Sequence, residues 1–133
     1  MIVVDTQILV HLTLAGEYTT VAESVLERDS EWVAPPLWRS EMRNVLAGYL
    51  PRGTIDAAAA LAIIDEAAGI LSAEIAPPDE LIFRQVTATR CSAYDLEFVA
   101  LAEHLDVPLV TNDKEILAAF PRRSVAPVAF AAN

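Results

Sequence analysis

Short apolar runs and amphipathic helical stripes take turns along this chain. Ile2-Val3-Val4 is an unbroken β-rich run, as expected of a strand buried on both faces. Ile8 to Leu14 and Thr20 to Arg28 read as two helices separated by a break at Gly16. Trp32-Val33-Ala34 is a second short strand, stopped by Pro35-Pro36, and a helix runs from about Leu37 to Leu50, where Pro51 and Gly53 end it. The Ala-rich stretch Ile55 to Ala68 is a further helix with Thr54 or Asp56 as its cap, followed by a strand over Gly69 to Ile75. Helices over Asp79 to Thr89 and Ser92 to His104, a strand over Val107 to Thr111, a helix over Asp113 to Ala119 and a weak last strand over Ser124 to Val128 complete the pattern. Strands that alternate with helices predict an α/β fold, a three-layer α/β/α sandwich around a mostly parallel central sheet. With 133 residues and no linker, repeat or low-complexity tract, the chain reads as a single domain over 1–133.

On that frame four acidic residues stand where burial makes a carboxylate costly. Ligands of open parallel sheets collect at the carboxyl ends of the strands, and Asp5 and Asp113 each follow an apolar strand run, so both are expected at that edge. Glu41 shares a helix face with Leu37, Val45 and Tyr49, four residues apart. Asp95 shares one with Phe98, Val99 and Ala102. Each acid also has an ordinary structural reading. Asp5 and Asp113 can cap the helices that follow them. Asp95 completes the Ser92-Ala-Tyr-Asp95 capping box, and Arg39 or Arg43 can reach round to Glu41. Taken together, the four make an oxygen-rich site suited to a hard divalent cation. Two unit charges about 4 Å apart repel by roughly 4 kcal/mol at an effective dielectric near 20, so an empty cluster of this kind is strained or partly protonated.

Composition narrows the partners. Nine Lys and Arg against 19 Asp and Glu give a formal charge of −10, which excludes capture of nucleic acid by the overall field. The single cysteine, Cys91, allows no internal disulfide and no thiolate cluster, in keeping with a reducing cytosol. The apolar run from Ala57 to Ile64 is far short of the roughly 20 residues of a membrane span, and no signal peptide is readable ahead of Ile2. A soluble, cytoplasmic protein without membrane contact is the expectation. His11 and His104 lack partners at zinc spacing and read as structural, while Trp32 and Trp38 are expected to pack against the sheet.

The acids and their surroundings resemble the PIN-domain ribonucleases, in particular the small VapC-like toxins of type II toxin–antitoxin pairs. The residues that carry the resemblance are Ile2-Val3-Val4-Asp5-Thr6, Ser40-Glu41 with Val45-Leu46, Tyr94-Asp95 followed by Val99-Ala100-Leu101-Ala102-Glu103, and Pro108-Leu109-Val110-Thr111-Asn112-Asp113. It spans Met1 to about Val128. After Asp5-Thr6 many relatives carry Asn or Ser, where this chain has Gln7. The resemblance implies that Asp5, Glu41, Asp95 and Asp113 are the catalytic residues and surround one or two Mg2+ or Mn2+ ions. Thr6 and Thr111 match supporting hydroxyl positions. It further implies RNA as the substrate, cut by a metal-dependent endoribonuclease to 5′-phosphate and 3′-hydroxyl ends, a homodimer, and a cognate antitoxin that covers the site.

Even two divalent ions would bring the formal charge only from −10 to −6, so RNA needs a local basic rim. Arg39, Arg43, Arg90 and Lys114 are the candidates, with Arg52 and Arg84 behind them; Glu97 and Glu115 are candidates for an outer shell of the acid site. The apolar residues Leu9, Leu12, Trp38 and Leu46 offer either core or a groove for a partner helix. A phosphotransfer receiver would need paired acids at the first strand end, and a haloacid-dehalogenase-like phosphatase a second Asp where Gln7 stands. The remaining rival is a PIN-like module that binds RNA or a protein without cleaving.

Overall fold

A computed structural model describes all 133 residues. The elements follow in the order β1 (Ile2–Val4), α1 (Thr6–Thr13), α2 (Thr19–Arg28), β2 (Trp32–Ala34), α3 (Leu37–Tyr49), a 3-10 turn (Leu50–Arg52), α4 (Ala57–Ile70), β3 (Leu71–Glu74), α5 (Asp79–Val86), α6 (Ala93–Leu105), β4 (Leu109–Val110), α7 (Lys114–Ala119), β5 (Ser124–Val125) and α8 (Pro127–Ala132). The strands lie in the order β3-β2-β1-β4-β5, and every pairing is parallel, so the sheet is wholly rather than mostly parallel.

Strand residues alternate between two cores, which is why these short runs read as apolar throughout. Ile2, Val4, Trp32, Ala34 and Val110 face a layer built by Leu9, Val25, Trp38, Met42, Leu46 and Ala67 from α1 to α4. Val3, Val33 and Leu109 face the other, built by Leu96, Val99, Leu101 and Ala102 of α6 with Ile116 of α7. The three-layer α/β/α sandwich expected from the alternation is the observed one. No helix is long and apolar enough to cross a membrane.

The order of strands reverses beside β1. From β1 the chain moves outward through β2 to β3, then returns to place β4 on the other side of β1. The return depends on the end of α6, where Asp106 adopts a left-handed conformation (φ 53°) and the Val107 N–H bonds back to the Ala102 carbonyl at 3.0 Å. Arg123 holds this corner, donating to the Val107 carbonyl at 3.0 Å and to Asp106 at 3.1 Å.

The chain's last segment corrects the sequence reading. A strand was expected over Ser124 to Val128, but pairing with β4 ends at Val125, and Pro127 opens a helix through Ala132. Proline has no N–H to offer a sheet, while its fixed φ suits the first helical turn. The Ala-rich helix begins at Ala57, with Asp56 accepting the Ala59 N–H at 2.8 Å, so Asp56 and not Thr54 is the cap. Of the two readings for Leu9, Leu12, Trp38 and Leu46, core is the observed one: Leu9, Trp38 and Leu46 are at most 2% exposed, and Leu12 packs against them part-buried. Leu101→Ala is expected to lower stability by about 2–5 kcal/mol, as for a buried Leu. Leu61→Ala, at a side chain 66% exposed, should stay within about 0.5 kcal/mol. Urea unfolding midpoints of the two variants measure this difference, and equal shifts would contradict the core assignment.

Candidate functional site

The four acids converge. Asp5, Glu41, Asp95 and Asp113 line one pocket of about 310 Å3, together with Thr6, Gln7, Asn44, Val45, Phe98 and Ile116. The pocket opens at the carboxyl edge of the sheet beside β1 and β4, where the strand order reverses and the loops after the two strands part. Glu41 is brought over that edge by α3 and Asp95 by the first turn of α6.

The structural readings of these acids hold in part and do not compete with the site. Asp5 does cap α1, accepting the Gln7 N–H on Oδ1 at 2.7 Å, while its Oδ2 accepts the Thr111 hydroxyl. Asp113 caps α7, accepting the Ile116 N–H at 3.0 Å, and its own N–H donates to Thr111 Oγ1 at 3.0 Å. Thr111 thus ties the two strand ends together. The Thr6 hydroxyl donates to Glu41 Oε1 at 2.7 Å and links α1 to α3. At Asp95 only half of the capping box forms: Ser92 Oγ accepts the Asp95 N–H at 3.1 Å, and the Asp95 carboxylate has no hydrogen-bond partner.

No basic side chain reaches this pocket. Arg39 lies 4.9 Å over the Trp38 ring and pairs with Glu74 at 3.5 Å, rather than with Glu41. Arg43 lines an apolar cavity with Leu50 and Leu61, Arg90 one beside Cys91 and Glu115, and Lys114 a cavity next to the acid pocket. Arg52 rests 5.6 Å over Tyr49, and Arg84 pairs with Glu80 at 2.9 Å. Of the outer acids, Glu97 is part-buried and acts on Glu41 through its charge, whereas Glu115 is exposed. His104 is exposed and His11 belongs to the neighbouring cavity, so neither lines the acid pocket. Asn44 and Phe98 were missed, although each lies three residues beyond a predicted acid on the same helical face.

The electrostatics follow from crowding without a counter-charge. Burial pushes the Asp5 carboxyl up; the Thr111 and Gln7 bonds oppose this, and the charges of Asp113 and Asp95 add to it. Burial raises Glu41 as well, opposed by the Thr6 hydroxyl and reinforced by Asp5, Asp95 and Glu97. The donor set is all oxygen, which suits Mg2+ or Mn2+ and not a soft metal. No three acidic, His or Cys side chains gather tightly enough to ligate one ion together. Mg2+ usually keeps several waters and takes one or two carboxylates directly, so it does not need three of these side chains on one ion.

The family model described as "PIN domain" matches residues 2–122. The chain belongs to the PIN-domain family. PIN domains are generally nucleases and usually use divalent metal ions. The fold is similar to that of PAE2754 from Pyrobaculum aerophilum, with a TM-score of 0.77 at 22% identity over 99% of this chain and 97% of that one. A search of curated proteins finds no match.

The pKa directions give the PIN domain a characteristic dependence on pH. Asp5 and Glu41 titrate above their ordinary range in the folded state, so the metal-free fold binds more protons than the unfolded chain. Their contribution to stability is fully present below the ordinary carboxyl range and is lost as pH rises through the raised values. Asp5→Asn keeps a capping oxygen and removes the charge. Its melting temperature relative to wild type in EDTA should therefore climb as pH rises above the ordinary carboxyl range of about 4. A difference that stays flat with pH would contradict the buried, unpaired carboxyl.

Proposed function

We propose that this PIN domain is a Mg2+- or Mn2+-dependent endoribonuclease, the toxin of a toxin–antitoxin pair, with Asp5, Glu41, Asp95 and Asp113 as its catalytic and metal-holding residues. The observation that carries the reading is the pocket itself, where four carboxylates meet and no Lys or Arg pairs with any of them. Such an arrangement costs stability unless a cation enters. One or two ions per site would be held by these carboxylates.

A bound Mg2+ or Mn2+ offsets charge on the phosphoryl oxygens and acidifies a water. The protein's part is to hold and to accept. Thr111 and the Gln7 N–H fix both oxygens of Asp5, and Thr6 fixes one oxygen of Glu41, so these two present set directions to the pocket. Asp95 keeps both carboxylate oxygens free of protein partners, and in this reading it takes the proton of the attacking water. The water's oxygen bonds to phosphorus as the bond to the 3′-oxygen breaks, and that oxygen takes up a proton from solvent, giving a 5′-phosphate and a 3′-hydroxyl.

The family likeness supports a homodimer and a cognate antitoxin as partners, in the cytoplasm. One observation favours a second reading. The acids are too far apart for three of them to ligate one ion, as in a PIN-like module that binds RNA or a protein partner without cleaving. A cleavage assay separates the two. Wild type should cut total cellular RNA with Mn2+ and not with EDTA, while Asp5→Asn and Asp95→Asn should lose at least about 100-fold in rate, as when a general base is removed. Millimolar Mn2+ should also raise the melting temperature of wild type. Equal cleavage by wild type and both variants would remove the catalytic assignment, and identical melting with Mn2+ and EDTA would remove the metal site.

A further inference from the structure

A second cavity, of about 390 Å3, is lined in part by residues next in sequence to those of the acid pocket. Gln7 and Asp113 line the acid pocket, whereas Ile8 and His11, next along α1, and Asn112 and Lys114, on either side of Asp113, line the second. From Gln7 to His11 the helix rises about 6 Å. Two nucleotides spaced as in a stacked duplex strand, about 3.4 Å each, cover that distance. The rings of His11 and Tyr18 stand 4.9 Å apart, tilted by 44°. Tyr18 is 51% exposed, and its hydroxyl has no partner within the protein.

Lys114 is the chain's only lysine and the only Lys or Arg lining either cavity. It pairs with no acid, although Asp and Glu outnumber Lys and Arg 19 to nine in this protein. Aromatic faces beside a free cation, one step from a phosphate-processing pocket, are what single-stranded nucleic acid requires. We propose that this cavity receives the base of the nucleotide flanking the phosphate at the acid pocket, with Tyr18 and His11 offering stacking faces and Lys114 contacting a phosphate. The proposal builds on the RNA reading above and adds a location for strand capture.

The test is binding of a fluorescently labelled single-stranded RNA hexamer, read by anisotropy with Mg2+ in an Asp95→Asn background. Adding Tyr18→Ala should weaken binding at least about 5-fold, and Tyr18→Phe, which keeps the ring, should restore it. Tyr18 caps α2 without a side-chain hydrogen bond, so its removal leaves the helix start intact. Lys114→Ala should weaken binding and reduce the slope of log K against log salt by about 0.7. One abasic position in the hexamer should abolish the effect of Tyr18→Ala. Binding by Tyr18→Ala and Lys114→Ala within 2-fold of the parent would overturn the subsite, even with cleavage intact in the wild-type background. Hexamer binding that depends on Tyr18, in a protein whose wild type cuts no RNA, would support the subsite and overturn the nuclease reading alone.

Discussion

The parallel pairing of β1 with β4 is the contact on which the rest depends. The two strands are separated by most of the chain, yet Val3 pairs with Leu109 and Val4 with Val110 at the centre of the sheet. The register carries one residue further, because the Asp5 N–H bonds to the Val110 carbonyl at 3.1 Å, and Thr111 reaches back to the Asp5 carboxylate. A slip of one residue would turn Thr111 to the wrong face and part the two acids. Both cores also meet at this pair. Val4 and Val110 contribute to one side, and Val3 and Leu109 to the other. The packing that stabilises the fold is therefore the same packing that aligns the site.

Electrostatics then works against what packing has built. Burial alone raises Asp5 and Glu41, and their neighbours raise them further because no cation shares the pocket. The hydroxyls of Thr6 and Thr111 and the amides at the helix starts offset part of this cost, each favouring the charged form of the carboxylate it meets. What they leave uncompensated is what a divalent ion would supply. Of the arginines that might have neutralised the site, Arg39 lies on Trp38 and Glu74 and Arg84 on Glu80, while Arg43 and Arg90 line other cavities.

Much of this was legible in the chain. The apolar runs at Ile2–Val4 and within Val107–Thr111 announced strands buried on both faces, and an acid soon after each, Asp5 at once and Asp113 two residues past Thr111, announced the edge they share. Glu41 was legible because a carboxylate interrupted an apolar stripe. Asp95 was ambiguous, since a serine three residues before it satisfies a capping pattern whether or not the reciprocal bond forms. The end of the sheet was not legible in detail. Ser124 to Val128 has strand composition, and only the absence of an N–H at Pro127, set against pairing with β4, decides where the strand yields to a helix. The fate of Leu9, Trp38 and Leu46 was equally hidden, because an amphipathic stripe does not say whether its apolar face meets the protein's own core or a partner.

The formal charge of −10 shapes how a nucleic acid can approach. At physiological salt the field of exposed charges decays over about 8 Å, so repulsion from the body weakens quickly, while contacts at the edge of the site act at close range. A protein of this kind cannot rely on long-range steering and must bind through a few local contacts. Lys114 is set apart by its position, since it follows an acid of the pocket directly and has no ion-pair partner. A single free cation beside this pocket can attract a phosphate without pairing with any of the four carboxylates. Had Lys114 pointed into the acid pocket, the charge that calls for a cation would have been spent within the protein.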